Sequence, residues 1–309
     1  MENKEVLLLK HIIRPYENKL FKKAFTSLDH DEKELFYRKV LDNKFSTFFL
    51  RFAAQYSKSP PFSKDFLNKA EYQRQIFHVQ SFQIIREVLE INKLFTNHGI
   101  TPIFLKGVAI MDSFDDLSIR SMSDIDILVS KDQIFEAYRA LIENGYEEPD
   151  KINWKRSKKN VQQVTEHSHQ IPALRGRNNV LIDLHHRITR KNDFNKCPVT
   201  DSLLKNKRKI KYYGKDIAVP SANDMFLHCL VNITLNSRFQ NSLRSIEDAK
   251  QIIDTSNVSL KEVLLNSKNN KFRKAMLLGL HLLERLNVLN HTQTIFLNEN
   301  YSAFDKALI

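Results

Sequence analysis

Glycine is scarce. The 309 residues include six, Gly99, Gly107, Gly145, Gly176, Gly214 and Gly279, about 2% where roughly 7% is usual. No two are spaced as G-x-G-x-x-G or G-x-x-x-x-G-K-[ST], so a dinucleotide fingerprint and a Walker A loop are excluded as those motifs are usually written. A nucleotide bound by this chain is not held in a glycine-rich loop. Cysteine is scarcer still. Cys197 and Cys229 are too few for a disulfide framework or a cysteine-based zinc site. No run of 18 apolar residues exists, so no transmembrane helix is expected. The apolar stretch Val6 to Leu9 is broken by Lys10, too short for a signal-peptide core. The expectation is a soluble, reduced, cytoplasmic protein with no membrane partner. Internal repeats and low-complexity tracts are also missing. Hydrophobic residues make up 42% and charged residues 27%, ordinary values for a chain that buries a core in one or two domains.

Charge is present but uneven. The net charge is +12. Residues 151–215 hold 17 Lys and Arg against four acids, Glu166, Asp183, Asp193 and Asp201, a net +13 that leaves the remainder near −1. A regional basic surface attracts polyanions, RNA among them. A solvated, lysine-rich surface has the same composition.

Hydrophobic spacing divides the chain into a helical region over 1–98, a small mixed α/β core over 99–220 and a helical region over 221–309. Helices are expected near 3–13, 31–57 with a break at Asn43, and 63–97, the last ending at Gly99. Residues 100–105 read as a strand, 107–112 as a short helix, 123–129 as an alternating strand and 131–144 as a helix closed by Gly145. Residues 161–188 read as a hairpin turning at 175–179, and Tyr213-Gly214 as the turn of a second hairpin. Helices follow at about 221–236, 241–255, 259–267 and 270–287. The fold class is α+β: a small mixed sheet flanked by helical N- and C-terminal regions.

The chemistry concentrates in carboxylates. Asp124-Ile125-Asp126 places two acids on one strand face, about 6.6 Å apart along the chain, with Ile125, Ile127 and Val129 facing the core. Such a pair repels itself unless a cation intervenes. Mg²⁺ takes carboxylate oxygens together with substrate phosphate, and two such ions clamp an in-line phosphoryl displacement. D-x-D also arises by chance. Upstream, Leu105-Lys106-Gly107 lies where a strand turns into a helix, aiming backbone N–H groups at an anion. Gly107 allows close approach and Lys106 adds a charge. Arg120 and Ser123 could reach the same phosphates. An ordinary tight turn and a surface charge are the plain alternatives for Gly107 and Arg120. Asp183, alone among Leu181, Ile182 and Leu184, needs a metal or an arginine if buried. A hairpin turning at Arg177 sets His169 opposite His185 and Ile171 opposite Asp183, so that His167, His169, Asp183 and His185 share a face. His169 and His185 are then phosphate contacts or proton carriers beside a metal site, or plain hydrogen-bonded histidines.

Taken together, Gly99-Ile100-Thr101-Pro102, Leu105-Lys106-Gly107, Arg120-Ser121-Met122-Ser123-Asp124-Ile125-Asp126-Ile127-Leu128-Val129, Gly145-Tyr146, His167-Ser168-His169 and Asp183-Leu184-His185 resemble a bacterial nucleotidyltransferase group of the polymerase β-type superfamily. The resemblance covers about 75–255, and a later helix pair with Asp224, His228, Arg244 and Asp248 also looks similar. Lys106-Gly107 stands where the wider superfamily has Gly-Ser or Gly-Gly. The resemblance implies metal-dependent transfer of an NMP from an NTP to a hydroxyl or phosphate of a small molecule, peptide or RNA, with pyrophosphate leaving. Asp124, Asp126 and Asp183 would hold two Mg²⁺, with Mn²⁺ as a substitute, and Lys106, Gly107, Arg120 and Ser123 would bind the nucleotide. The competing reading is a non-catalytic or toxin-like RNA-binding protein on the same fold.

Overall fold

The computed structural model describes residues 18–56, 60–148, 158–189, 198–240, 242–265 and 270–300. The helix expected at 3–13 lies outside them, as do 151–157 and 190–197 of the basic stretch.

Four helices open the described chain: α1 (Asn18–Thr26), α2 (His30–Asp42), α3 (Ser46–Ala53) and α4 (Lys64–Asn97). A capping box starts α2: the Asp29 carboxylate accepts from Glu32 N–H, and the Glu32 carboxylate from Asp29 N–H. Satisfying both orphan donors fixes the helix start. The break expected at Asn43 is a left-handed cap. Lys44 has φ 58°, and Phe45 N–H reaches back to Val40 O at 2.9 Å, the position where glycine is usual. These helices enclose an aromatic cluster that includes Phe21, Phe25, Phe49, Phe52, Phe62 and Phe66, with Tyr37 stacked on Phe66 at 4.0 Å. Each fully buried phenylalanine contributes roughly 1.5–3 kcal/mol.

Helix α4, capped by Ser63, joins the two cores of the molecule. Its first turn gives Phe66 to the aromatic cluster, and its later turns give Ile84, Ile85, Val88, Ile91 and Phe95 to the larger core. Gly99 at φ +69° follows its end.

The sheet has six strands: β1 (Ile103–Phe104), β2 (Asp124–Leu128), β3 (Leu174–Arg175), β4 (Leu181–His185), β5 (Arg208–Tyr212) and β6 (Lys215–Val219), in the order β3-β4-β2-β1-β6-β5. β2 pairs parallel with β4 and antiparallel with β1, while β1 pairs parallel with β6. Short helix α5 (Lys106–Ile110) follows β1, and α6 (Ile134–Glu143) follows β2. Helices α4 and α6 pack on the β2–β4 region, over the face carrying Ile125 and Ile127. The β5–β6 hairpin turns through Tyr213 (φ 47°) and Gly214 (φ 78°), two positive values that make the twisted two-residue turn hairpins favour.

The hairpin expected over 161–188 is mostly absent. Helix α7 (Lys158–His167) takes up much of its first arm, leaving the two-residue β3 and a single bridge from Gln170 to His185. Val161 and Thr165 are buried while Gln162, Gln163 and Glu166 are exposed. That is helical spacing, and it overrides the β-branched composition.

The C-terminal helices are α8 (Pro198–Lys205), α9 (Ala222–Val231), α10 (Leu243–Thr255), α11 (Leu260–Leu265), α12 (Asn270–Arg285) and α13 (His291–Asn300). α8 and α13 add to the helices read from sequence. Between α9 and α10 the backbone widens into a π-helical turn, Asn232–Asn236. Among the described residues no helix is long and apolar enough to cross a membrane.

Candidate active site

The site is built where β2 and β4 run side by side. Their register sets Asp126 directly opposite Asp183, with Asp124 two residues earlier on the same face as Asp126. This face is not open. Asp126 is 3% exposed, and α9, α10 and the π-helical turn bring residues over it. The carboxylates therefore line a cavity of about 300 Å³.

Strand β1 delivers Lys106. Leu105 N–H donates to Asp126 O at 2.9 Å, continuing the antiparallel ladder, so the next residue emerges beside Asp126. Lys106 adopts φ +48°, a left-handed conformation costly for a side-chain-bearing residue. Its Nζ lies 2.5 Å from Asp126 Oδ1, and His185 Nε2 is 2.9 Å from the same oxygen. Burial pushes the Asp126 carboxyl up, but Lys106 and His185 together hold it well below the usual carboxylate range. Burial opposes the Lys106 charge, yet Asp126 and Asp124 keep its pKa above the ordinary value.

Asp183 is in the opposite situation. It makes no hydrogen bond or ion pair among the described residues, and the arginine partner considered for it is not there. Burial first, and Asp126 second, raise its carboxyl.

Gly107 borders the cavity and also has a packing role. A Cβ there would meet Met122 Cγ and Sδ at 2.7 Å, so the glycine lets the Leu105-Lys106-Gly107 turn press against the methionine of the Arg120–Val129 stretch. The two motifs are one packed unit.

Arg120 is neither a surface charge nor a free phosphate ligand. Its guanidinium forms two bonds to the Asp248 carboxylate on α10, Nε–Oδ1 2.6 Å and Nη2–Oδ2 2.9 Å, and donates from Nη1 to Ser121 O at 2.7 Å. It borders the cavity but ties the approach to β2 onto α10. Ser123 Oγ lies 3.2 Å from Asp124 Oδ1.

Of the histidines, His169 and His185 border the cavity, their rings 5.4 Å apart. His167 ends α7, exposed, and is not a cavity residue. The expected facing of Ile171 and Asp183 is not found either; Ile171 N–H bonds to Leu184 O. In the later helix pair, His228 and Arg244 line the cavity. Asp224 instead accepts from Ser202 and Ser221 hydroxyls at 2.6 and 2.7 Å. His228 is fully enclosed, and burial, helped by the Lys106 charge, lowers its pKa to about 3. Asn232 and Asn236 complete this wall, with Asn236 Nδ2 donating to Asn232 Oδ1 at 2.8 Å. Both asparagines were missed in the sequence, although His228, Asn232 and Asn236 recur every fourth residue within an apolar helical run.

The donor set suits a divalent ion. One ligand atom each from Asp126, Asp183 and His185 can be chosen within 4.8 Å of one another. Both bonds to Asp126 fall on Oδ1, so among the described residues Oδ2 has no hydrogen-bond partner. An unpartnered carboxylate facing a second across adjacent strands is the arrangement a hard cation relieves. Asp124 lies outside this close trio, whereas His185 belongs to it.

A protein family described as uncharacterised nucleotidyltransferase matches residues 48–287. No curated protein matches the chain. Among solved structures, an antigenic nucleotidyltransferase-like protein from Paracoccidioides brasiliensis aligns at a TM-score of 0.42 and 13% identity, over 70% of this chain and 92% of that one. The family match spans most of the sequence, so the chain belongs to that nucleotidyltransferase family and is a transferase.

Proposed function

We propose that this nucleotidyltransferase moves an NMP from a nucleoside triphosphate to a hydroxyl or phosphate acceptor, with a divalent metal and pyrophosphate as leaving group. One observation carries the reading: Asp126 and the unpartnered Asp183 face each other across β2 and β4 at the cavity wall, with Asp124 beside them. Asp126 and Asp183 would hold the ion, with His185 as a nitrogen donor and Asp124 available to a second ion. Mg²⁺ is the expected metal and Mn²⁺ its substitute, better suited to an imidazole ligand. A divalent ion there supplies charge neutralisation at the reacting phosphate and acidifies an acceptor hydroxyl.

The chain's own groups do the positioning. Lys106, fixed by the β1–β2 ladder, presents a cation at the cavity wall. Ser123 offers a hydroxyl beside Asp124. The Arg120–Asp248 bond holds the segment that carries Ser123 and Asp124 against α10, so Arg120 acts on the nucleotide through geometry. Asp183 orients the acceptor. His169 and His185 stand where a proton or a phosphate oxygen can be met. Catalysis of this kind is mostly preorganised charge.

The test is calorimetric titration of ATP, GTP, CTP and UTP, with and without Mg²⁺, on wild type and on Asp124→Ala/Asp126→Ala. Magnesium-dependent binding lost in the double variant supports the reading. A folded wild type that binds none of the four refutes it.

A second reading has its own support. Lys205, Lys207, Arg208, Lys209, Lys211 and Lys215 are all exposed on or beside the β5–β6 hairpin, next to Tyr213 at 55% exposure. A basic ribbon with an aromatic tip suits a single-stranded RNA acceptor or, with no catalysis, an RNA ligand. Lysines on β5 also guard a sheet edge against pairing. Steeply salt-dependent RNA affinity, lost on neutralising the hairpin, distinguishes recognition from edge protection.

A further inference from the structure

Among the described residues, Lys106 is the only lysine or arginine in bonding contact with Asp124, Asp126 or Asp183. Its Nζ lies 2.5 Å from Asp126 Oδ1, the oxygen that also meets His185 Nε2. The Asp126 side chain is 3% exposed and that of Lys106 33%. The carboxylate is therefore fixed inside, while the ammonium arm lies along the cavity wall.

The bond is not needed to hold β1 against β2. Ile103 and Phe104 pair with Leu128 and Ile127, and Leu105 N–H donates to Asp126 O. Met122 against Gly107 fixes the turn that follows. The backbone at Lys106 nevertheless holds φ +48°, a conformation free to glycine and costly to lysine. Strain of this kind collects where a side chain has a task. Here the end of the side chain stands in a set of metal-ligand atoms. Asp126, Asp183 and His185 offer one each within 4.8 Å of one another. Asp183, paired with Asp126 across β2 and β4, has no hydrogen bond or ion pair among the described residues. The ammonium thus neutralises one carboxylate of the set and leaves its neighbour uncompensated. A full charge within about 4–6 Å changes a carboxylate's proton affinity by about tenfold to a thousandfold. A divalent ion approaching the same oxygen meets that field with twice the charge.

We propose that Lys106 is a built-in counter-ion of Asp126 that competes with free divalent metal, so that the site loads metal together with an anion able to draw the ammonium away. This rests on the nucleotidyl-transfer reading and adds an order of loading to it. The Lys106 backbone stays on the ladder, and its side chain exchanges Asp126 Oδ1 for the incoming anion. Metal alone is then a poor ligand, and metal with polyphosphate a good one.

Equilibrium dialysis of the full chain against Mn²⁺, at matched free Mn²⁺ with and without inorganic tripolyphosphate, tests the exchange. The proteins are wild type, Lys106→Met, Lys106→Gln and Lys106→Arg. Wild type should retain Mn²⁺ at least about fivefold more tightly with tripolyphosphate than without it. The two neutral variants should bind free Mn²⁺ about tenfold or more tighter than wild type, and tripolyphosphate should add less to them. Lys106→Arg keeps the charge and should stay near wild type. Loss of a merely structural ion pair would loosen the centre and weaken metal binding, so a gain separates the two roles. Melting temperatures check the folding of each variant, and Mn²⁺ should raise those of the neutral variants more than that of wild type. Neutral variants that bind free Mn²⁺ no better than wild type overturn the counter-ion. So does a wild type whose Mn²⁺ affinity ignores tripolyphosphate, a result that decides the matter even if no variant folds. Either leaves nucleotidyl transfer standing where the NTPs bind with Mg²⁺. A folded wild type that binds no NTP with Mg²⁺ overturns both.

Discussion

Glu247 provides a quantitative test of how tightly α10 is packed behind the site. The residue is 2% exposed, and its Oε1 has no hydrogen-bond partner among the described residues. Burial pushes the carboxyl from an ordinary 4.5 up to about 8, with Lys250 opposing. Below pH 4.5 the group is neutral in both folded and unfolded chains and has no effect. Between 4.5 and 8 the folded chain keeps a proton that the unfolded chain has released, so stability falls as pH rises. Above 8 the loss is complete. At about 1.36 kcal/mol per unit the ceiling is about 3 kcal/mol at pH 7 and about 5 kcal/mol above pH 8. Glu247→Gln removes the ionisation while keeping the shape. Its melting temperature should match wild type near pH 5 and exceed it progressively toward pH 8, by roughly 5–10 °C at most. Thermal melts of both proteins from pH 5 to 9 give the difference curve. A difference independent of pH, or a variant less stable than wild type at pH 8, would show that Glu247 is charged and satisfied in the fold, and the argument from burial would fail.

The Arg120–Asp248 pair should behave as a unit. Arg120→Met or Asp248→Asn alone should cost about 3–5 kcal/mol in chemical denaturation, because each leaves a buried charge unpaired, and the double variant should cost less than the sum. Gly107→Ala should destabilise by about 1–3 kcal/mol through the clash with Met122, and Met122→Ala in the same chain should recover part of that loss; additive losses would refute the contact. Divalent metal and tripolyphosphate should each tighten the other's binding by the same factor, between about 5-fold and 150-fold. Reciprocal calorimetric titrations check this, and independent affinities would contradict a shared site.

Some of this architecture is readable from local pattern. The alternation of Ser123–Val129 and the turn at Tyr213-Gly214 depend on neighbours in sequence, and the strands form there. Lys158–His167 misleads for a physical reason: Val161, Val164 and Thr165 favour strands by composition, while their i, i+3, i+4 spacing buries one face of a helix. Alternation around Asp124 and Asp126 identifies their face but not the helices that cover it, so the depth of Asp126 is invisible without the fold. The Arg120–Asp248 bond spans 128 residues and leaves no local trace in either segment. The packing at Gly107 is similarly remote, since the methionine it accommodates follows fifteen residues later in the loop before β2.

The charges in the site are segregated. Asp124, Asp126 and Asp183 come from the parallel strands β2 and β4. Arg244 approaches from α10, which packs over them. Lys106 alone crosses between the groups, and it is held by the backbone ladder rather than by side-chain packing. Asp124, Asp126 and Asp183 thus stand at one wall and Arg244 at another, so the cavity is polarised from wall to wall. A metal ion by itself would satisfy the carboxylates and leave the cations uncompensated. A polyphosphate by itself satisfies the cations and meets the carboxylates. On the proposed reading, a metal-bound triphosphate with its outer phosphates toward Arg244 would lower the electrostatic energy at both walls. That orientation would set the α-phosphorus near Asp126 and Asp183 and direct the leaving pyrophosphate toward Arg244. On that reading the acceptor would approach from the Asp183 side, the part of the cavity bordered by His169 and Gln170.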